Sequence, residues 1–419
     1  MNLTPGAAKV NTMATTPAVG QHSLREQNLA VVAREIFAAR TPPSRAEVAA
    51  ATGLTRATVS SLVDRLIESQ IVTELSPTVS RRAGRPAVPL VPAARTIVGI
   101  GLEVNVDYLA GTVLDLTGST LASITAPGDF HASDPARTLQ LLGDLTADLL
   151  AEVRRDGPAP RIAGVRLALP GLVESRTSTL RIAPNLGWAD LSPVDTSAIA
   201  AHVDGAPITL ANEANLAALA QVSRLRSHDD TPDSFLYVSA DVGIGAAIVL
   251  DRELFLGGRG WSGELGHVVV DPAGPACPCG ATGCLEQYAG TDALLRAARL
   301  PRGSTVADLL EAARRDDAAA TAALDRAGHA LGAALADFVN LIDVPTVVLG
   351  GAYSALADLL EPVVLAELTT RVLAAPWSTF AVHRAPVGVG AATIGGARRS
   401  LHEVVSDPTP WLATAHQPG

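Results

Sequence analysis

GELGHVVVDPAGPACPCGATGCLE, residues 263–286, holds all three cysteines of the 419-residue chain. Cys277, Cys279 and Cys284 share one short loop, and His267 stands ten residues before the first of them. Three thiolates and one imidazole make up the tetrahedral donor set that Zn2+ takes, and Gly280 and Gly283 supply the bends that bring sulfurs together. A disulfide would use two cysteines and strand the third. One structural zinc per chain, held by His267, Cys277, Cys279 and Cys284, is therefore expected, against the alternative of three free thiols. Four protein ligands close the shell, which makes such a site scaffold rather than Lewis acid.

On either side of this loop the sequence is rich in glycine-punctuated β segments. Ile97–Gly101, Tyr108–Leu114, Leu121–Ile124 and Ile162–Leu169 read as strands, with a helix from Pro135 to Arg154 before the last of them. A similar order recurs from Ile208 through Phe235 to Leu250 and Val347–Leu349. Strands followed by a helical crossover are the signature of an α/β unit. Two lobes with a cleft between them are expected, the alternative being one doubly wound sheet with insertions. After residue 402 the pattern becomes irregular.

The first ninety residues differ in kind. Residues 1–20 are Ala, Thr, Pro and Gly without periodicity and read as a flexible tail. A helix follows from Leu24 to Ala39 with Leu29, Val32, Ile36 and Phe37 on one face. Ser44 and Glu47 have capping-box spacing for a second helix through Ala51, Gly53 stops it, and a third begins near Thr55 with Val59, Leu62, Val63, Leu66 and Ile67 on one side. Two short β segments, Ile71–Leu75 and Ala87–Val91, flank a loop carrying Arg81, Arg82 and Arg85. Three helices and a hairpin make a winged helix-turn-helix over residues 21–91. The opposite face of the third helix presents Arg56, Thr58, Ser60 and Ser61, residue types suited to base edges and phosphates, and the wing arginines suit a backbone or a narrow minor groove. Solvated arginines and a protein-binding winged helix are the bland alternatives. Residues 92–96 read as the linker to an α/β domain over 97–402, with an irregular tail over 403–419.

Charge divides along the same line. The net of −10 splits into +4 over residues 1–90 and −14 over the rest, so a mildly basic front precedes an acidic body. With 48% hydrophobic residues the chain can bury more than one core. No run of eighteen uncharged apolar residues and no apolar leader occur, so a cytoplasmic protein without a membrane partner is expected.

From His267 through Glu286 the chain resembles the ROK family of repressors, open reading frames and kinases, and in particular its NagC- and XylR-type sugar-responsive repressors. The resemblance extends from Leu24 to about Arg399. It implies an α/β fold class in which the winged helix-turn-helix precedes a two-lobed actin/hexokinase-like (ribonuclease H-like) ROK domain. By motif match it implies sugar contacts from Glu264, His267 and Glu286, and from Asn185 in Pro184–Trp188, although Asn185 could equally form a turn and Trp188 fill a core. Asn212-Glu-Ala-Asn215 matches the Asn-Asp-Ala-Asn of the family's kinases, which adds Asn212 and Glu213 to the implied sugar site. Glu213 stands where those kinases place the aspartate that acts as base, displaced outward by about a methylene, a scale of error that can cost ~100-fold in rate.

The nucleotide side departs further from the kinases. Their Asp-x-Gly-Gly-Thr loop is here Gly101-Leu-Glu-Val-Asn105, and their Gly-Thr-Gly-x-Gly-Gly-Gly loop is Asp241-Val-Gly-Ile-Gly-Ala-Ala247. Glu103 and Asp241 put negative charge where phosphates would approach, and Val242 removes a hydroxyl donor. Gly350-Gly351 survives, but such a pair also serves close helix packing. The expected function is a sugar-responsive DNA-binding regulator, most simply a repressor, without kinase activity. Its expected partners are operator DNA, a sugar or sugar-derivative effector, and a second copy in a homodimer or tetramer. The alternatives are a sugar kinase with a DNA-binding domain, and a regulator controlled by a protein partner or by no small ligand.

Overall fold

The computed structural model describes residues 21–76, 88–225, 233–241 and 243–412. They form two compact units, one of residues up to 91 together with those from 405 onward, the other of residues 92–404.

The first unit begins with α1 (Gln21–Ala38), α2 (Arg45–Thr52) and α3 (Arg56–Glu68), followed by the paired strands β1 (Val72–Glu74) and β2 (Leu90–Pro92). Capping residues set the helix boundaries. The Ser44 backbone donates to Glu47 Oε2 at 2.7 Å while the Glu47 backbone donates to Ser44 Oγ at 3.3 Å, a reciprocal capping box. Gly53, at φ 71, ends α2 in the left-handed conformation, and Thr55 Oγ1 accepts from the Thr58 backbone to start α3. Leu29, Val32 and Ile36 meet Val48, Val59, Leu62, Val63 and Leu66 in a small apolar core closed by Ile71 and Leu90. The flexible tail expected over residues 1–20 and the wing loop with Arg81, Arg82 and Arg85 lie outside the described residues.

The second unit holds two five-stranded sheets built on one plan. In the first, β3 (Ile97–Val104), β4 (Tyr108–Asp115) and β5 (Thr120–Pro127) form an antiparallel meander. The crossover α4 (Pro135–Arg155) then leads to β6 (Arg161–Leu169), parallel to β3. A small three-stranded sheet of β7 (Leu172–Glu174), β8 (Thr179–Ala183) and β9 (Trp188–Leu191) follows, then α5 (Ser197–Ala200) and β10 (Ile208–Asn212), which pairs parallel to β6. The helix α6 (Glu213–Leu225) leads to the second sheet, where β11 (Phe235–Ala240), β12 (Ile244–Leu250) and β13 (Glu253–Leu254) repeat the meander. After α7 (Glu286–Ala289), α8 (Thr291–Ala297), α9 (Val306–Arg314) and α10 (Ala318–Ile342), β14 (Thr346–Gly350) pairs parallel to β11. Then come α11 (Gly351–Arg371), β15 (Ala381–Arg384), parallel to β14, and α12 (Ala391–Ser406).

Three sequence readings change here. The repeat of the plan starts at Phe235, not Ile208: β10 completes the first sheet, its apolar residues serving the lobe that precedes it. The stretch from residue 403, read as irregular, stays helical to Ser406 because Val404 and Val405 are buried, and Thr409–Trp411 adds a 3-10 turn. Within the segment read as a linker, Pro92 belongs to β2, and Arg95 is bonded through its backbone N–H to Asp115 at 2.9 Å and through its guanidinium to the Val153 carbonyl at 3.1 Å.

Where α12 crosses β3 the approach is close. A side chain at Gly101 would put its Cβ 1.8 Å from the Thr393 carbonyl oxygen, so the first residue of the altered phosphate loop has to be glycine. Thr112 and Thr393 hydroxyls meet beside it at 2.8 Å. Among the described residues, no helix is long and apolar enough to cross a membrane.

Candidate functional site

Three groups of side chains in the structure correspond to the residues singled out above. The first is the face of α3. Arg56 and Ser61 are exposed, while Thr58 and Ser60 are half-buried. The Thr58 hydroxyl is shared with Thr55 at 2.9 Å in the helix cap, which gives it a local partner. Arg25 and Asn28 of α1 join Thr58 and Ser61 around one surface depression. Sequence reasoning missed these two because α1 was read for its apolar face alone. Arg45 is not part of this surface: it is bonded to Asp64 at 2.6 Å and to Glu74.

The second group is the cysteine loop. His267, Cys277, Cys279 and Cys284 present ligand atoms that all lie within 4.8 Å of one another. Cys279 and Cys284 Sγ are 3.6 Å apart, and Cys277 Sγ is 4.0 Å from His267 Nδ1. Sulfurs bound tetrahedrally to one zinc at ~2.3 Å stand about 3.7 Å from each other, so the donor set fits such an ion. The loop is folded by its own backbone. Cys277 N–H donates to the Ala281 carbonyl at 2.8 Å and Gly280 N–H to the Cys277 carbonyl at 3.0 Å. Gly283, at φ 74, lies against Asp271 so tightly that a Cβ would come 1.6 Å from its carbonyl oxygen. Burial first, and then the neighbouring thiols, push Cys284 up to about 12.

The third group is carboxylates, and the structure sorts them into two sets. Glu264 precedes and His267 ends a 3-10 turn, Leu265–His267, and Glu286 opens α7 two residues after Cys284. Burial raises the Glu264 carboxyl above its ordinary range, with His267 opposing and Glu286 reinforcing the shift, so the three share one local field. Glu286 Oε2 accepts from the Ile244 N–H at 3.3 Å. With His267 Nδ1 turned to the sulfurs, Nε2 is the ring nitrogen left for a ligand.

Glu213 belongs to the other set. With Glu103 and Asp241 it lines a cavity of about 550 Å³ that Tyr108, Tyr237 and Arg384 also border. Glu103 is 4% exposed and its carboxyl is pushed up to about 7 by burial, against the Tyr108 hydroxyl, which donates to it at 2.9 Å. Glu213 is raised well above its ordinary value by burial and then by Asp241 and Glu103. Asp241 is exposed at the cavity, and desolvation and then the charge of Asp107 push it up to about 6. Asn212 caps α6 instead: its Oδ1 accepts from the Asn215 backbone at 3.1 Å and its amide donates to the Gly171 carbonyl at 3.0 Å. Gly350 packs against Tyr237, where a Cβ would lie 2.1 Å from the phenol oxygen, so at this position the close-packing reading of the glycine pair holds. Val242 lies outside the described residues.

Asn185 sits exposed on the turn between β8 and β9, where its backbone carbonyl accepts from Ala132. Trp188 fills the core at 1% exposure with its indole N–H on the Ser133 carbonyl. The small sheet that carries Asn185 is tied to the segment leading to Glu264, since Ser175 N–H donates to the Arg259 carbonyl at 2.9 Å.

Residues 99–400 match the model of the ROK family. The chain is 27% identical to the xylose repressor of Bacillus subtilis (strain 168) over 378 residues, covering 90% of this chain and 95% of that one. It is 26% identical to the N-acetylglucosamine repressor of Escherichia coli O157:H7, covering 83% and 87%. Among solved structures it is similar to a ROK family transcriptional regulator described as a homolog of the E. coli MLC protein, with a TM-score of 0.76, 24% identity and coverage of 92% and 97%. A ROK family glucokinase from Streptomyces griseus in complex with glucose and AMPPNP matches with a TM-score of 0.59 and 24% identity, over 72% of this chain and 98% of that one. The 72% against 92% coverage agrees with a fold shared with the glucokinase, to which this chain and the regulator add a further unit.

Proposed function

Because the chain belongs to the ROK family, we propose that it is a transcriptional regulator that holds operator DNA through α3 and is released by a sugar or sugar derivative bound at Glu264, His267 and Glu286. The observation that carries this is the pairing, in one chain, of a capped helix-turn-helix exposing Arg56 and Ser61 with two half-buried carboxylates, Glu264 and Glu286, beside the exposed His267 imidazole. Carboxylates that accept from adjacent hydroxyls suit sugars in general, and the named relatives answer to xylose and N-acetylglucosamine. In this reading Zn2+ fills the cysteine loop and fixes the His267 ring, and a homodimer places two recognition helices on half-sites about one helical turn apart. Phosphoryl transfer is absent from it, since Glu103, Glu213 and Asp241 would oppose nucleotide phosphates. The test is operator affinity with and without xylose, N-acetylglucosamine and glucose, alongside ADP release in the presence of ATP. A sugar that weakens DNA binding without ADP release supports the reading. Operator affinity indifferent to every sugar, or turnover near ~1 s⁻¹, would refute it.

A further inference from the structure

The function proposed above rests on Glu264, His267 and Glu286 and leaves unused a cavity of about 550 Å³ that carries three carboxyl groups, those of Glu103, Glu213 and Asp241. These come from separate parts of the fold: Glu103 from β3, Glu213 from the start of α6, and Asp241 from the end of β11. One oxygen stands apart from the rest. Glu213 Oε2 is buried and has no hydrogen-bond partner, whereas the Glu103 carboxylate has the Tyr108 hydroxyl. A buried carboxyl oxygen left without a donor is costly and calls for a partner from outside the protein's own side chains.

We propose that this cavity binds a small organic ammonium ligand, with its charged head at Glu213, Glu103 and Asp241 and its carbon chain along the alanine-lined wall. The chemistry follows from the lining. Ammonium N–H groups supply both the donors and the positive charge that three convergent carboxyls lack. Ala214, Ala217, Ala391 and Ala392 give the cavity a small-residue apolar side, and the Tyr108 and Tyr237 rings border it. A bare metal ion would occupy a small part of that volume. Arg384, which is the basic side chain among the described lining residues, is already bonded to Asp358 at 2.9 Å. The position is that of the family's phosphate loops, so a site once suited to an anion would now take a cation. The inference does not rest on the sugar-sensing reading and stands or falls separately.

The groups facing one another here are Glu103, Tyr108, Glu213, Tyr237, Asp241 and Arg384, with Asp107 acting on Asp241. With Glu103 at about 7 and Asp241 at about 6, the cavity gains negative charge as the pH rises from mildly acid to mildly basic. Ammonium binding should rise with it.

Calorimetry on the full-length protein, in amine-free buffer, would use n-butylamine and 1,4-diaminobutane as probes, 1-butanol as the uncharged isostere and MnCl2 as the metal alternative. At about pH 8 an amine should bind and butanol should not, and affinity should fall roughly tenfold by about pH 5.5. Glu213→Gln should weaken the amine by roughly tenfold to a hundredfold, the scale of a lost charge-assisted hydrogen bond. Should that variant misfold by circular dichroism, the wild-type pH series and the butanol comparison decide alone. No amine binding, equal binding of butanol, binding of Mn2+ only, or a folded Glu213→Gln that binds as wild type would each overturn the proposal.

Discussion

Two places in the second unit gather ionisable side chains, and they differ in how the chain brings them together. The thiols and imidazole of His267–Cys284 come from one loop whose own backbone hydrogen bonds fold it, and their donor atoms sit at spacings a single ion satisfies. Glu103, Glu213 and Asp241 come from β3, α6 and the end of β11, elements of both sheets, and the protein offers them one tyrosine hydroxyl. Convergence of the first kind is written in local spacing and makes a donor set that a single metal ion would fit. Convergence of the second kind is a product of tertiary structure, and it is held by shifting protons: burial raises the carboxyls until part of their charge is given up.

Removing a ligand from the loop should therefore have the largest effect. Cys284 is fully buried, and Cys284→Ser should lose the metal and destabilise the second unit by roughly 4 kcal/mol or more, as loss of a structural metal does. Metal analysis and denaturant unfolding of the two proteins check this. Equal metal content and an unchanged midpoint would erase the contrast between the two clusters.

The carboxylate cavity should show itself through pH instead. Glu103 is held at about 7 in the folded protein, above its ordinary 4.5. A raised carboxyl favours the folded state most below its unfolded value, and that contribution is lost as pH rises through the folded one. Stability of the second unit should thus decline between about pH 4.5 and pH 7, by at most about 3 kcal/mol from this residue. Glu103→Gln should flatten that decline while leaving the metal bound. Unfolding midpoints measured across the window decide it, and parallel curves for wild type and variant would show that the cavity does not hold its charge by protonation.

Glu264 lies between the two cases, because it shares its field with His267, a member of the metal set. Glu264→Ala should keep zinc and operator binding but abolish the sugar response, removing a coupling of about 2 to 3 kcal/mol. By linkage, saturating operator should weaken sugar binding to the wild type by the same factor as sugar weakens DNA. A variant that still releases DNA on adding sugar would move the effector site elsewhere.

The same contrast governs what could be read from the sequence. The capping box at Ser44 and Glu47, the left-handed Gly53 and the clustering of His267 with the three cysteines are all set by neighbours within a few residues or a single loop, and each was legible. The assignment of β10 to the first sheet was not, since a strand of Ile-Thr-Leu-Ala-Asn carries no mark of which sheet it joins. Nor was the gathering of Glu213 with Glu103 and Asp241 around one cavity, because motif order along the chain does not say which residues converge in space. The motif match implies a ligand contact for Asn212, but a helix start makes the same demand for asparagine, and its side chain meets that demand here.

The smallest effect expected is in the first unit, where the residues that act are exposed and unburdened by burial. Arg56 starts α3 on the solvent side, opposite Val59, Leu62 and Val63 in the core, so its replacement should cost the fold little. Arg56→Ala should weaken specific operator binding by about 1 to 2 kcal/mol, within the range of one bidentate contact to guanine. Arg25, brought beside α3 by the packing of α1, should behave differently. Arg25→Ala should lower affinity for operator and unrelated DNA alike and reduce the salt dependence by about one phosphate contact. Neither substitution should change metal content or the pH profile of unfolding. Titrations on operator and scrambled duplexes at several salt concentrations separate the two roles, and an equal loss on both duplexes for Arg56→Ala would reduce α3 to a backbone clamp and leave base recognition to other residues.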